Sequence, residues 1–195
     1  VEWAVESGAI TSGETLTTWL RDVLAHGAGR ADAILLRHAH RAHGKPEALA
    51  GIAELALAAS PTRERRAEST GQGNAFLRAA APWNPEVLTI LAARVGDIAY
   101  PVAVGAMAGS HGIPEDIACA GAMQAFAANL ISSAVRLVPL GQSAGLASLA
   151  ALEDTIRETT EAARTLTLDD LGGFAFRSDL AAMHHETQYT RLFRS

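Results

Sequence analysis

Nineteen consecutive residues, 117–135, carry no charged side chain and are bounded by Asp116 and Arg136. Strands seldom exceed about ten residues, so a regular element of this length is a helix. It is long enough to cross a bilayer. However, it holds Gln124, Asn129, Ser132 and Ser133, and many of its other residues are Ala or Gly. That pattern reads as a central helix buried on all sides in a helical bundle, with no membrane span. Composition agrees: 41 Ala and 22 Leu stand against 18 Val plus Ile. Ala and Leu lose little rotamer freedom in helices, whereas a sandwich or barrel draws on β-branched and aromatic residues. At 195 residues and 49% hydrophobic, the chain can bury one real core, and global disorder is excluded.

Local punctuation divides the chain into helices. Residues 1–7 read as the end of a helix stopped by Gly8. Thr11 and Glu14 have capping-box spacing, and Leu16, Trp19, Leu20, Val23 and Leu24 then form one apolar stripe ending at Gly27-Ala28-Gly29. A second long helix carries Ile34, Leu35, Leu36, His38, His40 and His43 up to Gly44. Pro46 opens a third, which runs to Ser60. Pro61 introduces a charged segment to about Ala80, in which Arg63, Glu64, Arg65, Arg66 and Glu68 read as a solvated face. Another helix starts at Asn84-Pro85-Glu86, and a further one surrounds Pro101 with a kink. The turn at His111-Gly112-Ile113-Pro114 feeds the uncharged helix, which Pro139 and Gly141 interrupt. Leu146, Leu149, Leu152 and Ile156 mark one more helix. Phe174 to Ser178 reads as loop and the remainder as a polar tail. The expectation is an all-α, single-domain bundle of about eight to ten helices over 1–178, followed by a C-terminal partner-binding tail over 179–195.

The net charge of −5 argues against nucleic acid as a partner, which needs a basic footprint. Fifteen of the sixteen basic residues are Arg, the rigid bidentate side chain suited to interfaces; Lys45 is the exception. A single cysteine, Cys119, leaves no internal disulfide and no cysteine-rich zinc module. No basic segment followed by an apolar run and a small-residue cleavage site stands at the N-terminus. A cytoplasmic location is therefore expected, although Val1 is not expected to be the native first residue.

Catalytic signatures are thin. Gly141-Gln142-Ser143-Ala144-Gly145 matches G-x-S-x-G, with acids and then His184 and His185 downstream in hydrolase order. That chemistry needs the serine on a strained strand-to-helix turn, and this chain shows no βα succession. His40 and His43 share a helix face while His38 points elsewhere, so at most two imidazoles can meet one metal ion. These two are weak nickel candidates. His185-Glu186 begins H-E-x-x-H, but position 189 is Tyr. Lys45 lacks both the following Ser or Thr and the first glycine of a P-loop, so no nucleotide is hydrolysed by that route. Tyr189, Leu192 and Phe193, interleaved with Arg191 and Arg194, have the composition of protein-interface anchors.

Longer strings carry a family resemblance. Asp179-Leu180, continuing through Met183-His184-His185-Glu186-Thr187-Gln188-Tyr189-Thr190-Arg191-Leu192-Phe193-Arg194-Ser195, resembles the C-terminus of the UreF family of urease accessory proteins. Asn129-Leu130-Ile131 through Arg136-Leu137-Val138-Pro139-Leu140-Gly141-Gln142 resembles that family's central segment, as does the His111 turn. Val1-Glu2 falls at the end of its S-x-G-L-E motif, with Val in place of Leu. The resemblance covers essentially the whole chain. It implies an all-α, non-enzymatic protein that bridges UreD (UreH in some species) and the GTPase UreG. The assembly acts on apo-urease, and nickel enters the carbamylated-lysine site with GTP hydrolysis as the timing step. It further implies a homodimer and no firmly bound cofactor, nickel being handled by the assembled complex. Glu2, Arg136, Gln142, Tyr189, Arg191, Leu192 and Phe193 become the candidate partner-binding residues. A nickel carrier using its own histidines, and a serine hydrolase through Ser143, are the competing classes.

Overall fold

A computed structural model describes residues 1–83 and 86–189. Its elements are α1 (Glu2–Glu6), α2 (Gly13–His26), α3 (Ala28–Arg41), α4 (Pro46–Ala58), α5 (Arg63–Ala79), α6 (Glu86–Val95), α7 (Tyr100–Ser110), α8 (Glu115–Leu137), α9 (Gln142–Ala150), α10 (Glu153–Ala162) and α11 (Phe176–Glu186). Short 3-10 turns lie at Ala81–Trp83 and Leu168–Asp170. Ten helices of nine residues or more, plus the five-residue α1, make the all-α class plain, and no strand occurs among the described residues.

The helices begin and end for local reasons. Ser12 caps α2: its hydroxyl accepts from the Thr15 amide, and Thr15 Oγ1 accepts from the Ser12 amide, so the capping box is Ser12/Thr15 and not Thr11/Glu14. Thr62 caps α5 in the same way, through the Arg65 amide. Pro46 starts α4. Pro101 falls in the first turn of α7, where its missing N–H has no intrahelical partner to lose, so no kink forms there.

Helix α3 divides the interior. Ile34 and Leu36 join Leu16, Leu20, Leu24, Met123, Ile131 and Leu152 in a core built from α1, α2, α8, α10 and α11. Leu35 and Ala39 join Leu49, Ile52, Leu88, Ile98, Val102 and Ala106 in a second core built from α4 to α7. The tightest crossing is α3 on α7. A Cβ on Gly105 would sit 2.2 Å from the Leu36 carbonyl oxygen, and one on Gly109 2.5 Å from that of His40. Helices this close need glycine at the contact, because no side chain fits between the backbones.

The fully buried helix is α7, not α8. Residues 101–103 and 105–109 of α7 are all buried. In α8 the buried residues are Cys119, Met123, Ala127, Ile131 and Ala134, spaced as one stripe, and the opposite face with Ile117, Gly121, Gln124 and Ala125 meets solvent. Although α8 has the length and apolarity of a membrane span, its inner stripe packs as part of a core. Uncharged is thus not the same as buried on all sides. The expected single helix through Leu146 and Ile156 is two, α9 and α10, with Leu152 buried at the bend. The expected loop and tail after Phe174 is replaced by α11, which runs across the 178/179 boundary.

Candidate functional site

The C-terminal helix is seated on the N-terminal one by polar side chains. The His184 ring stacks on Trp3, with centroids 4.7 Å apart. His185 lies between Glu64 (Nδ1 to Oε2, 2.5 Å) and Glu2 (Nε2 to Oε2, 3.2 Å). The Glu186 carboxylate accepts from the amides of Arg63 (2.9 Å) and Glu64 (3.3 Å), as suits an anion at the N-terminus of α5. Gln188 donates to Glu6. The His-His-Glu string of the tail is therefore an intramolecular anchor. Sequence spacing could not have shown this, because the partners lie more than 120 residues away.

The opposite side of α11 faces outward. Phe176, Leu180 and Met183 recur at i, i+4 and i+7 and are 59%, 37% and 50% exposed; Phe174, stacked on Phe176, is 83% exposed. The segment before α11 is held down by Arg30, which donates to the carbonyls of Asp170 (2.7 Å) and Gly172 (2.9 Å), and by the Phe174 amide donating to His26 O at 2.7 Å. The Arg177 guanidinium lies 5.5 Å from the Trp19 ring centroid. An exposed apolar ridge beside polar residues has the form of a protein-docking surface.

The candidate partner residues separate on this geometry. Glu2 points inward to His185 and is buried, so its role in the described structure is to hold α11. Tyr189, just beyond α11, is fully exposed. Arg136 and Gln142 are exposed on either side of the α8–α9 turn and make no side-chain hydrogen bond or ion pair among the described residues. Arg136 follows Ser133 by three residues on α8, and Ser133 lines the same pocket as His185 and Glu2. Arg191, Leu192 and Phe193 lie outside the described residues.

The other chemical candidates take structural places. His38 Nε2 donates to Leu166 O (3.0 Å) and His40 Nε2 to Ile113 O (2.8 Å), which tie the end of α3 to its neighbours, while His43 Nδ1 donates locally to His40 O (2.7 Å). No three His, Cys, Asp or Glu side chains converge on a metal position among the described residues. Ser143 is exposed in the first turn of α9, with no strand before it. Gly145 of the same motif is where α9 meets α8, since a Cβ there would come 3.0 Å from Val135 Cγ2. The Arg63 to Glu68 segment is not a plain solvated face. Arg65 is largely buried, 2.5 Å from Asp32, and its guanidinium lies 5.5 Å from the Phe126 ring centroid. Burial raises the Asp32 pKa, with Arg65 opposing it. Burial works against the charge on Arg65, and Asp32 and Glu68 outweigh it. This pair sits between cavities of about 130 and 240 Å³ and lines both.

The described residues thus carry an exposed apolar ridge on α11, a glutamate turned inward to His185, and α3 histidines bonded to carbonyls. The UreF family model matches residues 10–153. The chain belongs to the UreF family. It is 50% identical to the urease accessory protein UreF of Xanthobacter autotrophicus, an alignment covering all of this chain and 82% of that one. It is 47% identical to UreF of Rhodopseudomonas palustris (strain BisB18) and 47% identical to UreF of Azorhizobium caulinodans, covering 83% and 86% of those proteins. The role shared by these UreF proteins is that of a urease accessory protein.

Proposed function

We propose that this UreF-family chain is a non-catalytic adaptor in urease maturation. It bridges UreD (UreH) and the GTPase UreG on apo-urease in the cytoplasm, and regulates the GTP-dependent step at which nickel enters. The observation that carries the reading is the exposed ridge of Phe174, Phe176, Leu180 and Met183 beside the exposed Tyr189. Large apolar and aromatic side chains exposed on a folded body are the anchors that make an interface. We assign the ridge and Tyr189, continued by Arg191, Leu192 and Phe193, to UreD. Arg136 and Gln142, at the α8–α9 turn, are assigned to UreG. The uncharged outer face of α8 is the surface available for a homodimer. Nickel is cargo of the assembled complex, and among the described residues no three His, Cys, Asp or Glu side chains converge on a position for it.

The test is the double variant Leu180→Asp/Met183→Asp. Both side chains point outward, so helicity by circular dichroism should be unchanged and Tm should move by only a few degrees. Affinity for UreD, measured by co-elution and titration, should fall by about a hundredfold, as for two interface anchors at about 1–2 kcal/mol each. Undiminished binding of UreD by the folded variant would remove this assignment. Ser143→Ala, by contrast, should leave urease activation in cells unchanged; its loss in a folded variant would restore the hydrolase class.

A further inference from the structure

The ridge has a recess at its foot. Where the segment before α11 crosses α2, a cavity of about 250 Å³ is walled by Trp19, Asp22 and His26 of α2 and by Phe174, Phe176 and Arg177. The crossing is close. The Phe174 amide donates to His26 O at 2.7 Å, a Cβ on Gly173 would lie 2.7 Å from that same oxygen, and one on Gly27 would lie 2.7 Å from Ala175 Cβ. No side chain separates the two backbones there, so the crossing itself brings the six groups to one place.

The lining combines aromatic faces with one carboxylate. The exposed rings of Phe174 and Phe176 stack, with centroids 6.2 Å apart and planes inclined by 24°. The face of an aromatic ring is its negative side. Asp22 is exposed and makes no ion pair or side-chain hydrogen bond among the described residues. Arg177 lies over Trp19, 5.5 Å from the ring centroid, and the Trp19 indole is itself buried.

The possible occupants are not equivalent. An apolar side chain would cover the rings but take water from the Asp22 carboxylate without replacing it. A carboxylate would find Arg177, yet it would meet Asp22 and the ring faces, which repel it. A guanidinium stacks its planar body on a phenyl face and donates charge-assisted hydrogen bonds to Asp22, with Arg177 already placed over Trp19.

We propose that the recess takes an arginine side chain of the protein that docks on the ridge, with Asp22 as its ion-pair partner and the Phe174–Phe176 pair as its stacking surface. The proposal rests on reading the ridge as the UreD-binding face. It adds a charged contact at one end of that face. Apolar anchors supply affinity, whereas an ion pair at a fixed point selects one orientation and one register.

Titration of the full chain with UreD over a range of salt tests this. Asp22 is exposed on α2, so its variants should keep the fold, as circular dichroism checks. Asp22→Asn should weaken binding about tenfold and make the affinity less sensitive to salt. Asp22→Arg should weaken it about a hundredfold, by like-charge repulsion. Phe174→Leu, which keeps apolar area but loses the ring face, should cost about threefold. Arg177→Gln should change affinity by less than about twofold, because a cationic occupant does not use it. The pair Leu180→Asp/Met183→Asp separates the two readings. If that pair weakens binding while Asp22→Asn and Asp22→Arg do not, the ridge stands and the arginine recess is overturned. If Arg177→Gln weakens binding and Asp22→Asn does not, the occupant is an anion and the proposal is likewise overturned. If the Asp22 variants weaken binding while Leu180→Asp/Met183→Asp does not, the recess stands and the ridge assignment falls. Undiminished binding in all of them overturns both.

Discussion

Gly105→Ala should destabilise the fold by about 3 kcal/mol, the upper part of the range for overpacking a close contact, and lower Tm by roughly 10 °C. The added Cβ would lie 2.2 Å from Leu36 O and 3.0 Å from the carbonyl carbon. These are backbone atoms of a helix whose two faces serve the two cores, so α3 cannot retreat from α7 without opening one of them. Thermal unfolding followed by circular dichroism checks the value. Gly51→Ala is the matched control. Gly51 lies in α4, is exposed and has nothing within 4 Å of an added Cβ, so the same substitution there should stabilise by about 0.5–1 kcal/mol. Equal effects at the two positions would mean that helix propensity, and not the crossing, governs Gly105.

Arg37→Met should be comparably damaging. Arg37 is fully buried and joins three helices: it donates to Glu115 (2.5 Å) and Asp116 (2.7 Å) at the start of α8 and to Thr160 O (2.8 Å) of α10. Burial works against its charge, but the bonds to Asp116 and Glu115 win and push its pKa up. Asp116 is held below the usual carboxylate range chiefly by Arg37. Burial would raise Glu115, but Arg41 and Arg37 together bring it down. Breaking a buried pair costs about 3–5 kcal/mol. The expected loss is about 3, because the carboxylates keep water, Arg41 and Arg164. The pH dependence has a definite sign. Carboxylates depressed in the fold add stability that is present above their unfolded values, about pH 4, and that is lost as pH falls through the folded ones. Denaturant titrations below about pH 4 should therefore show a shallower acid loss in Arg37→Met than in the unmodified chain.

Helix existence was legible along most of the chain, because it is written in local punctuation: Gly8, Pro46, Thr62 and Pro114 sit at the ends of helices as their backbone chemistry requires. The family was legible too, through strings long enough to be specific. The two misplaced helices show what local reading lacks. The uncharged 117–135 run looks more buried than the helix around Pro101, yet α7 is the enclosed one, since enclosure depends on which neighbours arrive and not on the absence of charge. Helix α11 reads as tail because its apolar stripe faces outward and its inner face is fastened by His185 and Glu186 to partners far along the chain. The expected solvated charges at the start of α5 include the largely buried Arg65 for the same reason.

By itself, the sequence determined an all-helical chain, the position of most helix ends and membership of the UreF family, since propensity, capping and extended strings act over a few residues at a time. Only the tertiary structure decided that Glu2 meets His185, that His40 spends a ring nitrogen on the Ile113 carbonyl, and that Phe176, Leu180 and Met183 stand outside. Each of those outcomes is set by a contact between residues distant in the chain or by the lack of a cover, and neither leaves a mark in local spacing.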